Sequence, residues 1–508
     1  MTLENYTVRA IDLFPAEGLT GRRRILTPVK EITADNVREV LAEALGIHAM
    51  NAAEIGYLWS YYKGKQDIRN KTKQVRENIN NKVTINRANE IVTFKTAYLL
   101  NEPIQYVSYG CDKGVSDRVN RLNEYMRAED KESKDKEIVD WMHIGGVAER
   151  LVLPDPEDEQ DGAPFCVYTM DPRDAFVIYN SGIGQKPLAG VILQIDEDRK
   201  HIATVYTKDM CFTVKGDIVA SEGHILGGIP LVEYVNNDAR MGAFETVISI
   251  LNNINILESN AVDSVEDFVN GFDVFQNCDI EDGAYSSLSI GGKAVKVKTV
   301  TAGMEAKVYR VASELTQGGV QTRIDDFTDS YLTICGMPNR NGGSSTSDTG
   351  TAVIMRDGWS EAESRAKDTE KTFTRSEREF LRIVLNICAT RDGLDLKLSD
   401  IKTEFLRKNL ANLQSKVQVL CELLNNPKVH PKLAFEAAAL FKDNEEAYRI
   451  SSEYYEQQTA DQEASLREEV DRVRDEALRT GGQGAGANQS NSGEVGVTGE
   501  ANASGEGI

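Results

Sequence analysis

The sequence predicts an α+β fold that is mainly α-helical. Three observations predict it. Bulky or apolar residues recur at helical spacing over long stretches, most clearly at Trp359, Ala366, Phe373, Phe380 and Ile387, seven positions apart and so close to two helical turns. Short β-branched and aromatic runs, cut by turn residues, recur through 151–235. A small insertion at 271–312 alternates like a strand and separates two helical segments.

Taken in order, residues 1–35 read as irregular, punctuated by Pro15, Gly18, Gly21 and Pro28. The basic run Arg22–Arg24 reads as a solvated patch or a contact with a neighbouring subunit. A helix follows over Asp35–Tyr62, with Asp35 or Asn36 as N-cap. The next covers Arg87–Leu100 and stops before Pro103, because the residue ahead of a proline is pushed out of the helical region. Helices are expected at 116–128 and 134–149. The runs Phe165–Thr169, Ala175–Tyr179, Gly190–Ile195 and His201–Thr207 then read as strands of an antiparallel sheet.

Helix returns at Gly242–Asn270, about 40 Å long at 1.5 Å per residue, with Phe244, Val247, Leu251, Ile254, Ala261, Val265 and Phe268 on its apolar side. In the insertion, Val295 and Val297 alternate with Lys296 and Lys298. Another helix over Ser313–Cys335 stops before Pro338, so the two helices flank the insertion like the legs of a hairpin. The turn-rich loop Gly342–Gly350 runs into a rod in which 11 of the 20 residues from Ser360 to Glu379 are charged. Ile401–Leu406 reads as a strand. Leu410, Leu413, Val417, Leu420 and Leu424 give a helix-packing stripe, and helices at 431–441 and 444–479 follow, the last with a seam of Leu466, Val470, Val473 and Ala477. The stretch 481–508, rich in Gly, Ala, Ser and Asn and without an aromatic residue, cannot bury enough surface to fold and is expected to be disordered.

At 508 residues the chain has room for two to four structural units. No apolar run approaches the roughly 20 residues that cross a bilayer, and Met1–Asn5 lacks the layout of a signal peptide. Seven scattered cysteines without a CxxC suggest neither a disulfide framework nor a thiolate zinc site, which fits a reducing cytosol. The net charge of −22 argues against a tight, general grip on nucleic acid, which needs Lys and Arg on phosphates. It fits plain solubility, or a wall past which DNA slides without sticking.

Enzyme motifs are missing. The five histidines form no HExxH, and no GxSxG elbow occurs. Gly291-Gly292-Lys293-Ala294 fails as a phosphate loop, since Ser287 stands where the first Gly belongs and Ala294 replaces the Ser or Thr that would hold Mg²⁺. The acidic loop Asp155–Asp161 fails the spacing of a calcium loop. We therefore assign no catalytic residue, metal or cofactor. Lys293, Lys296, Lys298 and Lys307 cluster in the insertion, as a docking face or the solvated side of a small sheet. Between 338 and 351 the only charges are Arg340 and Asp348; hydroxyls and amides there can touch a phosphate backbone without holding it.

The order of parts resembles the SPP1-type portal proteins of tailed bacteriophages. Ala97-Tyr98-Leu99-Leu100-Asn101-Glu102-Pro103-Ile104 resembles the family's Tyr-Leu-x-Gly-x-Pro-Ile segment, with Asn101 where Gly is common. Asp171–Tyr179 looks like its wing strand. Gly228-Ile229-Pro230-Leu231-Val232-Glu233-Tyr234, then Asn236-Asn237, is similar to the lead into the first stem helix. Thr349-Gly350-Thr351-Ala352-Val353 resembles the start of the long wing helix, and Phe405–Asn409 the strand-to-crown junction. The likeness spans roughly 85–460.

This resemblance implies a wing (1–240 and 353–408), a first stem helix (241–270), a clip (271–312), a second stem helix (313–337), a tunnel loop (338–352), a helical crown (409–480) and a disordered tail (481–508). Asn339, Arg340, Asn341, Ser344, Ser345, Thr346, Ser347, Asp348 and Thr349 would face DNA in the channel, and the four clip lysines would dock partners. It implies a cyclic homo-oligomer of twelve subunits at one capsid vertex of the virion, assembled in the host cytoplasm, without membrane contact. Double-stranded viral DNA would pass through it during packaging and ejection. Terminase, head-completion or adaptor proteins, and the major capsid and scaffolding proteins would bind it. The alternatives from the residues alone are a nucleic-acid enzyme with a carboxylate-held metal, or another capsid-associated structural or adaptor protein.

Overall fold

The structure is a computed structural model. It describes residues 21–74, 77–109, 113–156, 162–269, 272–279, 298–301, 303, 305, 307–311, 317–339, 358–407, 410–438, 440–441 and 444–480. The expectations for 1–20, for 340–357 and for the tail 481–508 lie outside these residues, as do those for most of the acidic loop and the insertion. The chain divides into two units at Asp443/Asn444.

In the first unit, α1 (Val37–Tyr62) starts after Asn36, whose side chain accepts from the Thr33 N–H (2.8 Å) rather than from the helix. It lays Val37, Val40, Leu41, Ala44 and Leu45 on a six-stranded sheet ordered β1 (Ile25–Thr27), β5 (Ala175–Asn180), β6 (Pro187–Ile195), β7 (His201–Tyr206), β8 (Met210–Lys215) and β9 (Ile218–Gly223). β1 runs parallel to β5, and the other neighbours are antiparallel. The stretch expected to be irregular thus contributes an edge strand. Its three residues are too few to register as a periodicity, and only the distant partner reveals them.

The expected single sheet is two. β10 (Leu231–Val235), β3 (Val147–Pro154) and β4 (Phe165–Met170) form a second, antiparallel sheet. β3 takes residues assigned above to a helix over 134–149. That helix, α4 (Lys131–Gly145), ends four residues earlier than its pattern, because Gly146 sits at φ +82° with Arg240 O only 2.3 Å from where a Cβ would stand. α2 (Arg87–Leu99), α3 (Lys113–Ala128) and α4 pack near this sheet, and β2 (Gln105–Ser108) pairs with β15 (Ile401–Glu404).

Two further helices leave this body. α5 (Ile248–Val269) follows a single 3-10 turn at Glu245–Val247, and α6 (Gln317–Cys335) returns beside it. Between them lie two antiparallel pairs, β11 (Phe272–Gln276) with β14 (Lys307–Val311) and β12 (Cys278–Asp279) with β13 (Lys298–Thr299). The alternation expected at 295–298 is described only from Lys298.

The charged rod is α7 (Trp359–Asp392). Its seven-residue stripe is its buried face: Ala366, Phe373, Phe380 and Ile387 all lie in one core with β3, β4, β10 and α4. α8 (Leu410–Leu424) and α9 (Pro431–Ala438) form a small pair around Leu420, Ala434 and Phe435. The second unit contains α10 (Asn444–Thr480), on which Leu466, Val470 and Val473 are exposed.

The basic run at Arg22–Arg24 is solvated only in part. Arg22 is fully buried, with Nε 3.0 Å from Glu54 and a terminal nitrogen 2.5 Å from Glu245. Arg23 pairs with Glu54 (2.8 Å). Arg24 is exposed, hydrogen-bonded to Gln185 and lying over the Tyr179 ring. Charges read as surface from sequence because an unpaired one is costly inside, and these acids stand more than 30 residues away from Arg22.

Candidate functional site

Pro338 and Gly358, described residues on either side of 340–357, lie close together. α6 closes in a Schellman motif: Gly336 N–H bonds Thr333 O (3.1 Å) and Met337 N–H bonds Leu332 O (2.8 Å), with Gly336 at φ +64°. Met337 and Leu332 are both buried in the core that joins α1, α2, α5 and α6. A Cβ on Gly336 would stand 2.7 Å from Arg365 Cγ, so glycine serves here for its conformation and for its lack of a side chain. On the far side of the loop, Gly358 (φ +82°) leads into α7, 3.6 Å from Pro338 Cα when measured from its would-be Cβ. Trp359 then wedges against Phe94 and Tyr98 of α2, with ring centroids 6.2 and 6.0 Å apart. The described residues on both sides of 340–357 are therefore fixed by packed aromatic and aliphatic groups.

Of the nine residues expected to face DNA, Asn339 is the one described. Its Nδ2 donates to Asp329 Oδ1 (2.8 Å) and ties the start of the loop to α6. Arg340, Asn341, Ser344, Ser345, Thr346, Ser347, Asp348 and Thr349 lie outside the described residues. Of the four insertion lysines, Lys293 and Lys296 lie outside, Lys298 is on β13, and Lys307 is exposed, 3.7 Å from Glu305. The described pairs bring Lys298 and Lys307 into one insertion but on different ribbons.

A second feature was not expected. The polar side of α5 is covered by the strap Gln66–Asn86 of the same chain. Asn255 Oδ1 accepts from Ile85 N–H (2.8 Å), Ser259 Oγ from Val83 N–H (3.0 Å), and Asp263 Oδ1 from Asn81 N–H (2.7 Å). Asp263 also takes Lys71 (2.8 Å) and Lys73 (2.6 Å). Burial would raise its carboxyl, but the two ammonium groups and Asn81 hold it below the usual carboxylate range. The signal was present: Asn252, Asn255, Ser259, Asp263 and Glu266 recur every three or four residues. A polar stripe of that kind reads as a solvated face unless the covering segment is known.

Chemically this neck, where Pro338 approaches Gly358, offers little reactivity. Burial pushes the Cys335 thiol up to about 11, so it is no nucleophile at neutral pH. Burial lowers Lys95, which has no ion-pair partner among the described residues, and takes the His143 imidazole down to about 3. Among the described residues, no three His, Cys, Asp or Glu side chains converge to hold a metal ion, and no helix is long and apolar enough to cross a membrane. The described features are a braced pair of helices and a charge-rich rod.

No curated protein matches this sequence. A family model does, over residues 42–460, which is most of the chain: the protein belongs to the family described as phage portal protein, SPP1 Gp6-like.

Proposed function

We propose that the chain is the subunit of a ring-shaped channel at one capsid vertex, through which double-stranded DNA is packaged and ejected. Residues 241–270 and 313–337 would be the stem, 271–312 the clip that docks terminase and later head-completion proteins, and 338–352 the loop facing DNA. The wing would comprise 1–240 and 353–408, and the crown 409–480. Membership in a structural family supports this reading, and so does the neck at Gly336–Pro338 and Gly358. A loop rooted in two packed helices can follow a moving duplex without disturbing the body that carries it. Its Gly, Ser, Thr and Asn residues offer neutral contacts, which release no counterions and so do not arrest the duplex.

A ring of twelve such chains, each at −22, would carry an acidic bore. Screening over about 8 Å at physiological salt confines its repulsion to near contact, so DNA is centred rather than stopped. Capsid and scaffolding proteins would hold the ring in place. The energy for packaging would come from a separate motor.

Negative-stain imaging of the purified protein tests the assembly: annular particles with a central hole are expected, and a species monomeric under all assembly conditions would refute it. Deleting Gly342–Asp348 tests the loop. Rings should still form, while DNA packaging or retention falls. Loss of the ring itself would make the loop structural.

A further inference from the structure

The last helix, α10, carries an apolar seam on its outside. Leu466, Val470 and Val473 are spaced four and three apart, and each is more than half exposed. Ala477 continues the spacing in the sequence. A recurrence every seven residues keeps one stripe of a helix turned towards a helical partner. In heptad terms Leu466 and Val473 are d residues, and Val470 and Ala477 are a residues. The seam has a sharp upper end. Glu456 and Glu463 stand at the two preceding a positions, and Glu463 is engaged with Arg467 (3.8 Å). The stripe is thus confined to 466–477, roughly 18 Å of helix at 1.5 Å per residue.

The charges beside the seam select its occupant. The e positions, next after the d residues, hold Arg467 and Arg474; the g positions, just before the a residues, hold Glu469 and Glu476. All four are exposed, and Glu469 and Arg474 take part in no ion pair among the described residues. In a parallel, in-register pair of helices, a g residue faces the e residue five places on in its partner. Glu469 of one copy then meets Arg474 of the partner subunit, and the reverse contact is the same. An antiparallel pair sets g against g and e against e, which brings Glu against Glu and Arg against Arg. The two flanks therefore complement a second copy of α10 in the parallel sense alone. Copies related by rotation about a single axis all point their helices the same way along it, so a cyclic ring presents α10 in that sense.

We infer that α10 packs in parallel and in register against α10 of a second copy, through Leu466, Val470 and Val473, with Glu469–Arg474 pairs along its flanks. The inference rests on the ring proposed above, because so short a seam gains most where the assembly already supplies a high local concentration. Disulfide trapping tests it in the full-length chain carrying Cys421→Ser, since Cys421 is exposed. Val473→Cys, at a d position, should cross-link copies under mild oxidation at least about tenfold more than Glu468→Cys, which stands on the opposite face of the helix. Adding Glu469→Arg should lower that cross-linking at least about threefold, because it turns two attractions into repulsions. Glu469→Arg with Arg474→Glu should restore it. Val473, Glu468, Glu469 and Arg474 are all exposed, so the subunit's own core is left intact.

Negative-stain images of the same samples read the ring independently. Rings in which Val473→Cys cross-links no better than Glu468→Cys would overturn the inference and leave the ring standing. So would cross-linking that ignores Glu469→Arg, or that the exchanged pair fails to restore, since the flanking charges would then not choose the partner. Cross-links without rings would refute the ring and show that the helix pair stands alone. Absence of both would overturn the two proposals together.

Discussion

Two places in this molecule bury charge, and they do it differently. At the crossing of α4, β3 and α7, Lys131, Asp135, Arg150 and Glu377 form a closed quartet. Arg150 reaches Asp135 (2.5 Å) and Glu377 (3.3 Å), and Lys131 reaches the same two acids (2.7 and 2.9 Å). Tyr106 and Tyr234 donate to Glu377, and Phe380 lies 5.1 Å from the guanidinium. Two cations meet two anions, with hydroxyls on the spare lone pairs. On α5 the arrangement is open: one carboxylate, Asp263, holds a strap by two lysines that are still partly in water. A closed quartet fixes the rod to its sheet. An open clasp holds a segment that can be lifted without leaving a bare charge in the core.

Breaking the quartet should have the largest effect. Burial alone would raise Glu377, but Lys131, Arg150 and the two tyrosines bring its carboxyl down to about 2, so it is ionised at neutral pH. Glu377→Gln leaves two buried cations facing one carboxylate. Removing one partner of a buried ion group costs about 3–5 kcal/mol. Chemical denaturation of the subunit should report a loss of that size; a loss under about 1 kcal/mol would mean that water reaches the site.

None of this was legible in the rod's sequence, where Glu377 is one of 11 charges in 20 residues. The heptad stripe was legible, because Phe373 and Phe380 announce a buried side by periodicity alone. Periodicity marks which face is apolar; it does not mark which charge beside that face is taken in with it. Arg22 and Arg150 escaped for the same reason, since their partners come from other elements. β1 and β2 escaped because a strand of three or four residues is defined by its neighbour. Of the expected loop contacts, only the roots could be related to the fold: proline and glycine mark where helices stop, and the Pro338–Gly358 approach depends on two helices meeting.

The clasp should fail more gently. Asp263→Asn removes the anion from Lys71 and Lys73 while keeping an acceptor for Asn81 N–H. We expect about 1–3 kcal/mol, the range for a lost charge-assisted bond, and expect it locally. Amide exchange should quicken through 71–85 and stay unchanged in β3 and β10. An even rise across the subunit would show that the strap is part of the global fold after all.

A third buried carboxyl sharpens the contrast by its pH dependence. Glu149 and Glu233 face each other across β3 and β10, and Arg240 serves Glu233. Burial, then the Glu233 charge, raises Glu149 well above its ordinary value, and its Oε2 has no hydrogen-bond partner. A carboxyl raised in the folded state binds a proton that the unfolded chain has released. Stability therefore falls as pH rises above the unfolded value of 4.5, by about 1.4 kcal/mol per pH unit until the folded group ionises. Glu149→Gln should be the more stable protein at pH 8, with the gap closing towards pH 4.5. A gap that stays constant with pH would show that Glu149 is ionised in the fold.

The smallest effect on the subunit should come from the other side of α5. Leu251 and Ile254 on its upper turns are buried, whereas Val262 and Val265, farther down the same apolar stripe, are each 42% exposed. The strap covers the polar side and leaves this apolar half uncovered. Val262→Ser with Val265→Ser removes surface that is already largely in water, so subunit stability should move by no more than about 0.5 kcal/mol. In the ring proposed above, yield should nonetheless fall, because an apolar stripe beside a braced polar face loses its value only when a neighbour would have covered it. A drop in subunit stability above about 1 kcal/mol would place these valines in the subunit's own core, and unchanged rings would leave the lower half of α5 facing solvent in the assembly.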